Sequence, residues 1–114
     1  MTKIFHNPRC SKSRQALALL RENDVEPEIT EYLKTPPDNA ALRDVLAKLG
    51  LAAHAILRTK EEAYAACGLS PESSEAEILS AIVAYPILLE RPIIIKGNRA
   101  VIGRPPENVR DLLG

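Results

Sequence analysis

The spacing of apolar and polar positions changes several times along the chain, and each change marks an element. Lys3–Phe5 reads as the end of a short strand, followed by a turn at His6-Asn7-Pro8-Arg9. From Ser11 the pattern is helical: Ala16, Leu17, Leu19 and Leu20 lie among charged residues, and the run stops near Glu22-Asn23-Asp24. Rough alternation over residues 27–33, with Ile29, Tyr32 and Leu33, predicts a second strand. Strand, helix and strand within so short a stretch make a βαβ unit, which implies parallel pairing.

Thr35-Pro36-Pro37-Asp38 breaks the chain and is expected to open a helix with proline in its first turn. Leu42, Val45, Leu46 and Leu49 keep helical spacing on its apolar face, and Gly50 ends it. Residues 52–69 are Ala-rich and predict two short helical pieces, broken at Arg58-Thr59-Lys60 and stopped by Gly68. Ser74 with Glu77 forms a capping box ahead of a helix carrying Ile78, Ala81, Ile82 and Tyr85, and Pro86 ends it. Pro92–Lys96 and Arg99–Gly103, joined by Gly97-Asn98, predict a β-hairpin whose three consecutive isoleucines suit a strand buried on both faces. Residues 105–113 predict a last helix, again with proline in its first turn. The order is βα-β-helices-ββα: an α/β chain with a mixed sheet flanked by helices.

Composition adds three constraints. At 114 residues the chain is expected to form a single domain, residues 1–114, and 46% hydrophobic residues suffice for a core. Fifteen basic against fifteen acidic residues give no net charge, which argues against a general nucleic-acid binder. The N-terminus lacks the apolar run of a signal peptide, and the apolar stretch around 78–89 is too short to span a bilayer. A cytoplasmic, reducing location is expected, with neither membrane nor nucleic acid as partner. Two cysteines build no disulfide framework, and two widely spaced histidines give no metal-site pattern.

Cys10 is the chemical focus. It sits where a strand hands over to a helix N-terminus, facing free N–H groups and the positive end of the helix dipole. A free thiol of pKa ~8.5 is only about 3% ionised at neutral pH. Making it mostly thiolate takes roughly 2.7 kcal/mol, and a helix terminus supplies about 0.3–1 kcal/mol, up to ~2 when partly buried. His6, Arg9, Lys12 and Arg14 are the sequence neighbours expected to make up the difference. Cys10-Ser-Lys-Ser13 is C-x-x-S, so the site is monothiol and an oxidised Cys10 needs a resolving thiol from elsewhere. Alanine at position 16 rules out a C-x5-R phosphatase-type loop. Cys67, without a basic neighbour, is expected to be a small buried side chain, and His54 to be structural. Arg58, Arg91 and Arg104 each stand at an element junction, and arginine's planar fork suits a tetrahedral oxyanion.

His-Asn-Pro-Arg-Cys-Ser-Lys-Ser-Arg at 6–14 resembles the active-site signature of the glutaredoxin-coupled arsenate reductases, the ArsC-like proteins. The resemblance continues through Leu57-Arg58 and residues 86–92 to Gly103-Arg104-Pro105, covering nearly the whole chain in the family's order. It implies a thioredoxin-like fold: a mixed four-stranded sheet flanked by helices, with an inserted helical segment. It implies further that Cys10 is the nucleophile, that His6 assists its ionisation, and that Arg58, Arg91 and Arg104 bind the oxyanion. Asn7, Ser13 and Arg14 are supporting residues by the same comparison, with Asn7 and Ser13 shaping the loop or donating to the sulfur. Pro92 matches the family's cis-proline. The implied partners are arsenate, glutathione as co-substrate and glutaredoxin, with no bound cofactor. Two other readings stand beside this one. A monothiol thiol–disulfide or deglutathionylating enzyme would use Cys10 without needing all three arginines. An Spx-like regulator that binds RNA polymerase would use C-x-x-C in its redox-switched form, and Ser13 speaks against that.

Overall fold

The structure, a computed structural model, describes residues 1–113. They fall into two compact units: residues 1–35 with 91–113, and Pro36–Glu90. Among the described residues no helix is long and apolar enough to cross a membrane.

The first unit is a four-stranded sheet of order β2-β1-β3-β4, with β1 at Thr2–His6, β2 at Glu28–Glu31, β3 at Ile93–Lys96 and β4 at Arg99–Ile102. β1 runs parallel to β2 across helix α1, Ser11–Glu22, and antiparallel to β3, which turns back into β4. The sheet is therefore mixed, as the hydrophobic pattern predicts. Gly97 takes φ +61° in the hairpin turn, a conformation that costs glycine nothing. Ile4 pairs with Ile94, and together with Ala16, Leu17 and Leu20 of α1 they form a core closed by Val109 and Leu112. Phe5, Ile93 and Ile95 point to the opposite face and are buried as well.

The chain ends differently from the expected α-helix. Pro106–Leu112 is a 3₁₀ helix. Pro106, Val109 and Leu112 are its buried residues, three apart, so one face of a three-per-turn helix meets the core. That spacing was the signal in the sequence.

In the second unit, α2 (Asn39–Leu49) packs on α4 (Glu75–Ala84). The prolines at 36 and 37 do not occupy the first turn of α2. They precede its N-cap, Asp38, whose carboxylate accepts the Ala41 N–H at 2.8 Å; an aspartate there satisfies a donor that proline cannot. The capping box of α4 forms as expected: Ser74 Oγ accepts from the Glu77 N–H and Glu77 accepts from the Ser74 N–H. Tyr85 does not extend the apolar face of α4. It is the C-cap and 53% exposed, because Pro86 pushes the preceding residue out of helical φ/ψ. The Ala-rich segment gives a 3₁₀ turn, Ala53–Ile56, and a short helix α3, Glu62–Ala66. An antiparallel bridge between Leu57 and Leu89 ties this segment to the chain just before Arg91.

Candidate active site

Cys10 takes the position usually held by a capping side chain. Asn7-Pro8-Arg9-Cys10 is a β-turn with asparagine first and proline second; the Cys10 N–H donates to Asn7 O at 3.0 Å. Asn7 Oδ1 accepts the Arg9 N–H, also at 3.0 Å, and Arg14 Nη1 donates to Pro8 O at 2.9 Å. Asn7 and Arg14 therefore fix the turn. Cys10 follows as N-cap of α1 with extended φ/ψ, and its carbonyl accepts the first helical bond, from Arg14 N.

Burial would raise the Cys10 pKa, but the opposing groups prevail and the thiol lies below its ordinary value. The Ser13 N–H, the Arg91 guanidinium, the Lys12 N–H and the Arg104 guanidinium act in that direction, in descending order. The sulfur makes no side-chain capping bond; the two N–H dipoles of the first helical turn favour its anion through their field. Arg104 Nη1 stands 3.8 Å from the sulfur and donates to Arg91 O at 3.3 Å. The cations beside the thiol thus come from the far end of the sequence, whereas Arg14, a neighbour in sequence, spends its guanidinium on Pro8.

Ser13 and His6 form a buried pair beneath the loop. His6 Nδ1 and Ser13 Oγ are 2.6 Å apart, and Ser13 Oγ accepts the Asn7 N–H at 3.0 Å. Burial holds the His6 pKa down, with Glu31 opposing and Arg21 and Arg14 adding to the depression. Burial thus favours the neutral ring, and the direction of the His6–Ser13 hydrogen bond follows its tautomer. Ser13 therefore addresses the sulfur with its backbone N–H rather than its hydroxyl. Ser13 thus links buried His6 to Cys10.

Two loops carry the arginines. The Gly103 N–H donates to Pro92 O at 2.9 Å, and Asn108 Nδ2 donates to Ile102 O at 3.0 Å and Arg104 O at 3.3 Å. Both Arg91–Pro92 and Arg104–Pro105 are cis peptides, the first at the position where the resemblance implies one. A Cβ on Gly103 would lie 2.8 Å from Pro92 Cγ and 3.1 Å from Ile94 Cδ1. Gly103→Ala is therefore expected to lower stability by about 1–3 kcal/mol, read from the urea midpoint.

Arg58 belongs to the second unit. Its N–H donates to Leu88 O at 2.8 Å, and its guanidinium pairs with Glu61 at 3.0 Å. His54 Nε2 and Tyr64 Oη are 2.9 Å apart, with the rings edge to face, in keeping with a structural role. Cys67 is only partly buried, not enclosed: it caps the C-terminus of α3, a helix with no buried residue. Cys67→Ser should change stability by less than about 0.5 kcal/mol and leave Cys10 chemistry intact, as judged by alkylation of the remaining thiol.

A low-pKa thiol with two guanidiniums at hand can attack an electrophilic centre that carries negative oxygen. Comparison with known proteins agrees with this geometry. The ArsC family model matches residues 5–112. The chain belongs to the ArsC family. An Escherichia coli K12 relative named as the uncharacterized protein YfgD is 51% identical over 114 residues, 98% of this chain and 96% of that protein. A Neisseria meningitidis protein named arsenate reductase is 49% identical over 113 residues, 97% of each chain. Among solved structures, an arsenate reductase from Vibrio cholerae superposes with a TM-score of 0.93 at 39% identity, covering 96% of this chain and 95% of that one. The fold of this ArsC protein is thioredoxin-like, with its four-stranded sheet interrupted between β2 and β3 by the helical segment.

Proposed function

We propose that this ArsC protein reduces arsenate to arsenite with electrons from glutathione and glutaredoxin. The observation that carries the reading is the thiol itself: Cys10 below its ordinary pKa, with Arg104 3.8 Å from the sulfur and Arg91 adding its charge. The names of the Neisseria and Vibrio relatives supply the substrate.

In this scheme the Cys10 thiolate attacks pentavalent arsenic, an S–As bond forms, and one oxygen leaves as water after taking up protons. Glutathione displaces a second oxygen from the adduct. The glutaredoxin thiolate then attacks the glutathione sulfur, the S–As bond to glutathione breaks, and its electron pair reduces arsenic to the trivalent state. Hydrolysis of the Cys10–arsenic bond releases arsenite and restores the thiolate. The two electrons come from external thiols, which is what C-x-x-S requires. Arg91 and Arg104 offset the oxyanion charge as the adduct forms.

Arsenate-dependent NADPH oxidation, measured with glutathione, glutaredoxin and glutathione reductase, tests the proposal. Turnover should vanish when arsenate, glutathione or glutaredoxin is omitted. If a folded protein whose Cys10 alkylates readily at neutral pH gives no arsenate-dependent turnover, the monothiol oxidoreductase reading replaces this one.

A further inference from the structure

Beside the Cys10 turn lies a cavity of about 200 Å³ lined by His6, Asn7, Arg9, Glu31, Leu33 and Lys34, among others. Whole small-molecule sites usually offer about 300–1,000 Å³, so this one suits one end of a ligand. Its chemistry is mixed in sign. Arg9 and Lys34 bring two cations and Glu31 one carboxylate. His6 also lines the cavity; it is 6% exposed and its Nδ1 is engaged by Ser13. Leu33 is 45% exposed and offers an apolar wall.

A purely anionic group would meet Glu31, and a purely cationic one would meet Arg9 and Lys34. An α-amino-acid end satisfies all three: its carboxylate faces the two cations, and its ammonium faces Glu31. The present Lys34–Glu31 contact, 3.4 Å between side chains 79% and 41% exposed, is the kind of surface pair worth about 0–1 kcal/mol, so a ligand can exchange into it. The guanidinium of Arg9 makes no ion pair among the described residues; only its backbone N–H is bonded, to Asn7 Oδ1.

The position of the cavity links it to the thiol. Arg9 precedes Cys10, and consecutive Cα atoms are about 3.8 Å apart. A ligand seated there by an α-amino-acid end can present a sulfur one residue further on to chemistry at Cys10. Resting on the reductase reading above, we propose that this cavity seats the γ-glutamyl end of glutathione, with Arg9 and Lys34 taking its α-carboxylate and Glu31 its α-ammonium. Glutathione then approaches the Cys10–arsenic adduct from the β2 side of the turn.

Calorimetric binding of S-methylglutathione, which cannot react, tests this apart from turnover. The protein should bind it, and the Arg9→Ala/Lys34→Ala double variant should bind about tenfold more weakly or worse, having lost two charge-assisted contacts. S-methylcysteinylglycine, which lacks the γ-glutamyl end, should bind both proteins with equal weakness. Equal affinity of S-methylglutathione for both proteins, or none for the wild type, overturns the proposal. If the coupled assay shows glutathione-dependent arsenate reduction while the double variant binds normally, the cavity assignment falls and the reductase reading stands. If the double variant loses binding but no arsenate is reduced, the reductase reading falls and the cavity remains a glutathione site.

Discussion

Cys10→Ser is expected to remove arsenate-dependent turnover, by at least about a thousandfold. The substitution is nearly isosteric at a partly buried helix N-cap, where serine is itself a favoured residue, so the fold should persist. What disappears is the nucleophile. A serine hydroxyl stays protonated at neutral pH, and neither two backbone N–H dipoles nor two guanidiniums can ionise it. The paired control is Cys67→Ser, at a half-exposed C-cap outside the Cys10 loop, which should keep turnover near wild type. Comparable loss in the two variants, both folded by circular dichroism, would mean an intramolecular disulfide mechanism in place of the monothiol one.

Arg104→Ala carries the second large effect. Its guanidinium stands 3.8 Å from the sulfur and donates to Arg91 O at 3.3 Å. Removing it subtracts a charge that favours the thiolate and a donor that meets the oxyanion. Loss of one such electrostatic donor costs about 10²–10³ in turnover. The side chain is exposed, so the melting temperature should shift only slightly. Arg104→Lys should recover part of the loss, because it keeps the charge but not the planar fork. Arg91→Ala should likewise damage turnover far more than stability. Equal damage to both would make these arginines structural.

Much of this arrangement is legible before folding is considered. The change of period after His6 places Cys10 at a helix N-terminus, and the βαβ spacing and the Ile93–Ile95 run define the mixed sheet. The Ser74–Glu77 capping box is a local motif and forms locally. What spacing alone cannot show is which cations meet the sulfur. Arg9, Lys12 and Arg14 are adjacent in sequence, yet the turn directs the Arg14 guanidinium to Pro8 O, and Lys12 acts through its backbone N–H. Arg91 and Arg104 flank β3 and β4, and the antiparallel pairing of β3 on β1 returns them to the start of the chain. Which Ser13 group does which job is also set by tertiary burial rather than by the C-x-x-S spacing: its hydroxyl is spent on buried His6 and the Asn7 N–H, and its backbone N–H faces the sulfur. Tyr85 left the α4 face because of its neighbour Pro86, a signal that was present in the sequence.

Charges brought from residues 91 and 104 help to hold the Cys10 thiol below its ordinary pKa. The most direct measurement is the pH dependence of iodoacetamide alkylation in the Cys67→Ser protein, where Cys10 is the only thiol left, repeated with Arg104→Ala added. The predicted midpoint lies below the ~8.5 of a free thiol and moves up when Arg104 is removed. A midpoint at or above ~8.5 with both arginines in place, or one that Arg104→Ala leaves unchanged, would contradict that role.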